Sequence, residues 1–384
     1  MPGESTIRPV LVHDWLTGMR GGEKCLEPAC VRWPQAPLFT LIHKPGSVSP
    51  AIEALAPRGS SLNRLPGVSR YYRYLLPLMP AAARWAIPDC DVVLSFSHCV
   101  AKAAMPPAGV PHVCYCFTPM RYAWHMRDSY FQRGQLGRLK SAAADVILSR
   151  IRDWDRRTAD RVTHFVAISR AIQARIAECY GRESVVIYPP VDTDFYTPAA
   201  VEREDYYLVV SALAPYKRFD LAIAACAKLG RKLVVIGSGQ DAARLRGMAG
   251  PNVAFLGWQS DEVIRDHFRR CKAVLYPGEE DFGIVPLEAQ ACGAPVIAYG
   301  RGGVLETVKN LHEHSEPTGV FFDVQTAEAL MIAMEIFERN LSAFDPNAGR
   351  CNALPFARKR YEEQLFGYVD SVVHRKITGH QEAA

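Results

Sequence analysis

The chain has 384 residues, nearly half of them hydrophobic, with a formal net charge of +5; that suits two domains with sizeable cores, and the mild basic excess is compatible with an anionic nucleotide or an anionic membrane surface, with no nucleic acid expected. Eleven cysteines, an odd number scattered through apolar runs, exclude a disulfide framework and read as buried free thiols of a cytoplasmic protein. No stretch approaches the ~20 apolar residues of a membrane span, and Met1 to Ser5 has no signal-peptide character.

The first predicted strand is Pro9 to Asp14, followed by Trp15-Leu-Thr-Gly-Met-Arg-Gly21-Gly22 and a helix from Glu23. Strand, glycine loop and helix is how a nucleotide-type α/β domain begins, and ligands sit at strand carboxyl ends in open sheets. His13 and Asp14 lie at that end, and Gly21-Gly22 permits close backbone approach. Leu38 to Ile42 is the second strand, and Ser61 to Leu65 reads as a third. Arg70-Tyr-Tyr-Arg-Tyr-Leu-Leu-Pro-Leu-Met79, then Ala81 to Trp85, interleaves arginines and aromatics with leucines. It reads either as a stretch lying on a membrane interface or as an ordinary helix with tyrosines packed on the sheet. Asp91 to Ser97 is a buried strand with His98 at its carboxyl end. His112 to Cys116 is another, leading into the aromatic, basic loop Phe117 to His125, which holds Arg121. Cys114-Tyr-Cys116 lacks a second pair at zinc spacing, so no metal site is read. Arg127 to Arg157 is arginine-rich, a solvated face or a membrane contact. Val162 to Ile168 is a strand, Ser169 a helix cap, and Val185 to Tyr188 the last strand before Pro189-Pro190.

A fresh α/β pattern starts at Tyr206 to Ser211. Ala212-Leu-Ala-Pro-Tyr-Lys217-Arg218 follows. Lys232 to Gly239 is a strand and glycine loop. Gly237-x-Gly239-x-x-Ala242 mimics a dinucleotide fingerprint, but it does not open the chain, so no nicotinamide site is read. Asp192-Thr-Asp194 sits in a linker and reads as turn chemistry. Val253 to Gly257 is a short strand before Trp258, Thr318 to Phe322 a last strand, Ala327 to Arg339 a helix, and Phe356 to Val373 a terminal helix.

The chemistry concentrates in Pro277-Gly-Glu-Glu-Asp-Phe-Gly-Ile-Val-Pro-Leu-Glu-Ala-Gln-Ala-Cys-Gly293. The strand Ala273 to Tyr276 stops at Pro277-Gly278, an acidic loop follows, and Pro286 is expected at the first helical position, with Gly293 as the stop. The amides of Gly283, Ile284 and Val285 then form an anion site. Glu280 precedes it and Glu288 follows, with seven residues between them. A diphosphate on the amides and a carboxylate at each end suit a sugar nucleotide, which carries two polyols flanking a diphosphate.

This stretch resembles the donor signature of the retaining glycosyltransferases of family 4, which have the GT-B fold. Ala294 to Glu306, with Gly302-Gly303, resembles the family's next strand and glycine turn. The resemblance covers nearly the whole chain and implies an α/β protein of two Rossmann-like, doubly wound domains facing across a cleft. It places an acceptor-side domain at 1–196, a donor domain at 197–355, and a terminal segment, 356–384, packing back on the first. It also implies roles. Glu280 touches the sugar and Glu288 the ribose; Phe282, Gly283, Ile284 and Val285 belong to the donor site. Lys217 neutralises the diphosphate, and a fixed cation there stabilises departure of the leaving group. The family's usual arginine, five residues before that lysine, is Ala212 here, and Arg218 is the candidate replacement. His98 holds a sugar hydroxyl. Gly21 and Gly22 lie beside the donor phosphates, while Gly257 and Trp258 lie near the base. His13, Asp14 and Arg121 fall on the acceptor side. Close relatives carry histidine where Phe117 stands, so no catalytic role is assigned there.

The expected reaction transfers a hexosyl group with retention, with catalysis by Glu280, His98 and Lys217, a nucleotide sugar as co-substrate and no metal or other cofactor. Front-face attack is inherited from the family. The run His13 to Lys24 resembles mannosyltransferases of surface polysaccharide synthesis, lipopolysaccharide included, which makes GDP-mannose the expected donor and a lipid-linked oligosaccharide the expected acceptor, met in the cytoplasm or peripherally at the inner face of the cell membrane. Two rival readings are a nucleotide-sugar epimerase of the same fold and a non-catalytic nucleotide-sugar binder.

Overall fold

The computed structural model describes residues 7–124 and 138–381. His125 and the beginning of the arginine-rich stretch, up to residue 137, lie outside the described residues, as does Met1 to Ser5. The chain divides into two compact units. One runs to Tyr188 and resumes at Tyr361; the other is Pro189–Arg360.

The first unit holds a seven-stranded sheet: β1 (Pro9–Leu16), β2 (Leu38–His43), β3 (Arg58–Gly59), β4 (Val92–Ser97), β5 (His112–Cys116), β6 (His164–Ala167) and β7 (Ser184–Val186), in the order β3-β2-β1-β4-β5-β6-β7. All pairings are parallel, with Leu11 opposite Leu38 on one side and Leu94 on the other. Parallel strands are covered on both faces, which is why β1, β4 and β5 are buried along their whole length. The helix Arg358–Gln381 closes this unit from Tyr361 onward. The Tyr361 hydroxyl donates to the Cys25 carbonyl at 2.7 Å, and Phe366 packs edge-on against Trp33 at 5.2 Å.

The second unit holds six parallel strands: β8 (Tyr207–Val210), β9 (Leu233–Ile236), β10 (Val253–Gly257), β11 (Ala273–Tyr276), β12 (Val296–Tyr299) and β13 (Gly319–Phe322), in the order β10-β9-β8-β11-β12-β13. Its core gathers Tyr207, Leu233, Leu275 and Ile297 from the sheet with Phe219, Ile223, Leu330 and Phe337 from helices. In both sheets the order reverses between the first strand and the fourth, which opens a crevice at their carboxyl ends.

Several expectations change. Ser61 to Leu65 is not a strand but a 3₁₀ turn, Ser61–Arg64, capped by the Ser60 hydroxyl, which accepts from the Leu62 amide at 3.2 Å; the third strand precedes it. The arginine-aromatic stretch forms no continuous helix. It makes 3₁₀ turns at Val68–Arg70 and Tyr72–Leu78 and a short helix at Met79–Ala82, because Pro77 and Pro80 lack the N–H that a longer helix needs. Tyr72, Leu76 and Met79 enter the core, while Tyr74 is 86% and Leu78 52% exposed. Gly21 and Gly22 are not loop but the first turn of the helix Gly21–Arg32. All eleven cysteines are free, and only Cys351 is exposed. No helix among the described residues is long and apolar enough to cross a membrane.

Candidate functional site

Each sheet places a cluster of polar side chains at its switch point. In the second unit, β8 leads to the 3₁₀ turn Pro215–Lys217, and β11 leads to the acidic loop. The two segments touch because Gly278 carries no side chain: a Cβ there would lie 3.0 Å from the Lys217 Cα. Lys217 is 8% exposed, and its Nζ is hydrogen-bonded and ion-paired to Glu280 Oε1. Glu280 is also held by its backbone. Its carbonyl accepts from the Gly303 amide at 2.8 Å, and a Cβ on Gly303 would collide with Asp281 and Phe282. The Gly302-Gly303 turn thus lets the next strand's loop clamp the acidic loop.

The helix after this loop is Ile284–Ala291, with Gly283 as N-cap at φ +100°. Pro286 is therefore at the third helical position, not the first. Its missing N–H still falls among those a helix start leaves unpaired, so Ile284 and Val285 supply the outward amides of the first turn. Gly293, at φ +83°, follows the last turn. Glu288 is on the helix and buried. Phe282 is buried and tilted against Phe356 at 5.8 Å, so its side chain belongs to the core.

Arg218, the expected stand-in for the missing arginine, follows Lys217 directly. It has φ +53°, and its guanidinium reaches Asp220 at 3.1 Å and Gln325 at 3.3 Å, which match its charge and direction. Gly257 has φ +71° and Trp258 is 77% exposed. The dinucleotide-like glycines have a packing explanation: a Cβ on Gly237 would strike the Ser211 carbonyl, and one on Gly239 the Leu213 carbonyl. Asp192 makes turn chemistry, its Oδ1 accepting from the Phe195 amide at 3.0 Å. Among the described residues no group of histidine, cysteine and carboxylate side chains is placed to hold a metal ion.

In the first unit, Asp14 lies near the carboxyl end of β1 and is fully enclosed. Its carboxylate accepts four backbone N–H groups, from His98 at 2.5 Å, Cys99 at 2.9 Å, Val100 at 2.6 Å and Ala101 at 2.6 Å, and it meets His98 Nδ1 at 3.0 Å. Burial pushes this carboxyl up, but the His98 imidazole and the amide bonds outweigh it and hold it at about 2. Asp14, expected on the acceptor side, is thus a positioning residue: it fills the concave set of amides after β4 and orients His98. His98 is half-buried; its ring stands edge-on to Trp15 at 4.3 Å and 6.1 Å from Phe117. Phe117 completes an aromatic surround, whatever its relatives carry.

His13 is also buried. Burial lowers it to about 4, Nδ1 lies 3.1 Å from the Trp15 carbonyl, and Nε2 has no hydrogen-bond partner among the described residues. It acts on its surroundings through packing. A Cβ on Gly22 would be 3.3 Å from Nε2 and 3.4 Å from Phe117, so a larger residue there would press on both rings. Arg121, half-buried, opens the short helix Arg121–Trp124. Reading the sequence alone overlooked Glu23. It is 3% exposed, caps its own helix by accepting from the Arg20 amide at 3.1 Å, and burial raises its carboxyl to about 7. An acid three residues after the cap position was the available signal.

Comparisons with known proteins follow this division. Residues 39–195 match the profile "Glycosyltransferase Family 4", and residues 192–343 match "Glycosyl transferases group 1". D-inositol 3-phosphate glycosyltransferase of Mycobacteroides abscessus is 33% identical over 170 residues, 38% of this chain and 36% of that one. Alpha-1,3/1,6-mannosyltransferase ALG2 of Kluyveromyces lactis is 23% identical over 344 residues, 74% of this chain and 66% of that one. The match thus spans little more than a third of the first relative's length and about two thirds of the second's. Among solved structures, Anabaena HepE in complex with UDP and glucose superposes with a TM-score of 0.64 at 17% identity, over 95% of this chain and 100% of that one. Sucrose-phosphate synthase of Thermosynechococcus elongatus gives 0.69 at 16%, over 96% and 100%. At such identities the likeness is one of fold. Two family profiles that meet where the units divide, and together reach from residue 39 to residue 343, establish that this chain belongs to the group 1 glycosyltransferases of family 4, with the GT-B fold.

Proposed function

We propose that this protein transfers a hexosyl group, with retention, from a nucleotide sugar to a lipid-linked oligosaccharide or polysaccharide precursor, and that the donor is GDP-mannose. The observation that carries the reading is the Lys217–Glu280 pair beside the amide-bearing start of the helix Ile284–Ala291, at the second sheet's switch point. A leaving diphosphate gains negative charge as the glycosidic bond breaks. A buried ammonium and oriented amides stabilise that charge without reorganising. Glu280 accepts hydrogen bonds from the sugar hydroxyls, Glu288 from the ribose, and His98, by family resemblance, from or to a further sugar hydroxyl. Lys217 and the amides meet the diphosphate charge in this reading, so no metal is assigned. UDP and glucose bound to HepE support a nucleotide-sugar ligand, and the mannosyltransferase ALG2 supports mannose.

No separate nucleophile is assigned to a double displacement, so the reading keeps front-face attack, with the acceptor proton passing to the departing phosphate. Peripheral contact with an anionic membrane belongs to the same proposal. The test is incubation of the protein with a panel of nucleotide sugars while nucleotide release and sugar products are followed. Slow release of nucleoside diphosphate from one donor, with water as a poor acceptor, is the expected result. A new epimeric sugar product would establish an epimerase instead. Tight donor binding with no turnover, in the presence of a lipid-linked acceptor extract, would establish a binder.

A further inference from the structure

The first unit contains a cavity of about 590 Å³ to which no role above is assigned. Segments following three sheet and turn elements converge on it: Thr17 and Arg20 after β1, Lys44 after β2, and Arg70, Tyr72 and Arg73 from the 3₁₀ turns. Its lining holds these four cationic side chains and, among the described residues, no carboxylate. The nearby acids have other work: Asp14 is enclosed by amides, Glu23 caps the Arg20 amide, and Glu53 accepts from the Gly46 amide at 2.8 Å and meets His43 at 3.1 Å.

Two hydroxyls in the lining are orphans. Thr17 Oγ1 and Tyr72 OH are both out of solvent and without a hydrogen-bond partner among the described residues, although Tyr72 is 96% buried, at 4% exposure. A buried tyrosine ordinarily satisfies its hydroxyl. Four cationic side chains around one cavity, with two unsatisfied hydroxyls on residues of its wall, is an arrangement that oxygen-rich anions complete. Gathering like charges around an empty space is unfavourable, and an entering anion reverses the sign of that interaction. A carboxylate would leave most of the volume and most of the donors unused. Phosphate groups, with several oxygens and more than one charge at neutral pH, match both.

The position matters as well. The Tyr72 ring is tilted against Trp15 at 5.1 Å, and Trp15 meets His98 edge-on. One aromatic layer therefore separates the cavity from His98. On the same turns Tyr74 and Leu78 expose apolar surface.

We propose that this cavity is the seat of a phosphate or diphosphate group on the acceptor, held by Arg20, Lys44, Arg70 and Arg73 and by the hydroxyls of Thr17 and Tyr72. The inference rests on the transferase reading for the word acceptor, while the anion site stands on its own geometry. It commits the enzyme to phosphorylated acceptors over neutral sugars.

The experiment uses the full chain and inorganic pyrophosphate as probe, by calorimetric titration in the Lys217→Ala background, which weakens binding at the donor cluster. Pyrophosphate binding is expected to persist there, to fall about a hundredfold on adding Arg70→Ala and Arg73→Ala, and to fall about tenfold on adding Tyr72→Phe, which keeps the packed ring and removes one donor to a charged group. GDP binding, measured with Lys217 intact, is expected to be unchanged by the Arg70, Arg73 and Tyr72 substitutions. Neutral phosphatidylcholine vesicles carrying polyprenyl diphosphate separate the sources. Capture that depends on Arg70 and Arg73 assigns a lipid-anchored acceptor; pyrophosphate binding without capture assigns a free phosphorylated one. Pyrophosphate affinity that is the same with and without the Arg70, Arg73 and Tyr72 substitutions would overturn the inference. Absence of nucleotide release from every donor of the panel would instead count against the transferase reading, and leaves the pyrophosphate result to decide the cavity.

Discussion

Replacing Asp14 with asparagine tests the positioning role most directly. One carboxylate oxygen takes the His98 and Cys99 amides and the other takes those of Val100 and Ala101. Whichever oxygen becomes an NH₂ group, two buried backbone N–H groups lose their acceptor and face a donor instead. An unsatisfied buried polar group costs about 1–3 kcal/mol, so the first unit should lose about 4 kcal/mol, a large share of the ~5–15 kcal/mol that ordinarily holds a domain together. Urea unfolding followed by tryptophan fluorescence measures the loss, and amide exchange at residues 98–101 reports where it occurs. The folded carboxyl is held at about 2, below the ordinary value of 3.8. Its stabilising contribution is therefore complete above about pH 4 and disappears as pH falls through about 2, so the difference between wild type and variant should be flat between about pH 5 and pH 8. Turnover should fall along with that of His98→Ala, and the two changes together should cost less than their sum, since they share one contact. A loss below about 1 kcal/mol, with the amides of 98–101 as protected as before, would refute the clamp.

Glu23 gives the opposite pH signature. Its carboxyl is raised from 4.5 to about 7 by burial, so the folded chain binds a proton the unfolded chain has released, and stability should decline by about 3 kcal/mol as pH rises from about 4.5 to 7; Glu23→Gln should flatten that decline in a series of urea midpoints. Lys102 is 2% exposed and lies 3.0 Å from Asp155 Oδ1 and 2.8 Å from Thr158 Oγ1, so Lys102→Met should cost about 3–5 kcal/mol in the same assay by stranding a buried carboxylate. Glu280→Gln should reduce sugar transfer at saturating donor about a hundredfold or more while GDP binding changes little, because the lost carboxylate acts on the sugar end; steady-state kinetics beside calorimetry checks the split, and equal losses in both would remove Glu280 from the sugar.

Most strands of both sheets were legible, because parallel strands buried on both faces must be short apolar runs, and Val92–Ser97 or Ala273–Tyr276 can hardly be anything else. The acidic loop between a strand and a short helix was legible from glycine and proline, whose backbone preferences are local properties of the residues. Local rules failed where a neighbour decided. Gly22 sits in a helix start packed against His13 and Phe117, where a Cβ would press on both rings. Phe282 turned into the core because Phe356 is there to receive it. Asp14 became a clamp only because the sheet order sets the end of β1 beside the end of β4, across more than eighty positions of chain. The cavity takes Arg70, Tyr72 and Arg73 from the arginine-aromatic stretch, but nothing in that stretch joins it to Thr17 and Lys44, since residue types dictate what a segment prefers while side-chain neighbours are set by which segments the topology brings together.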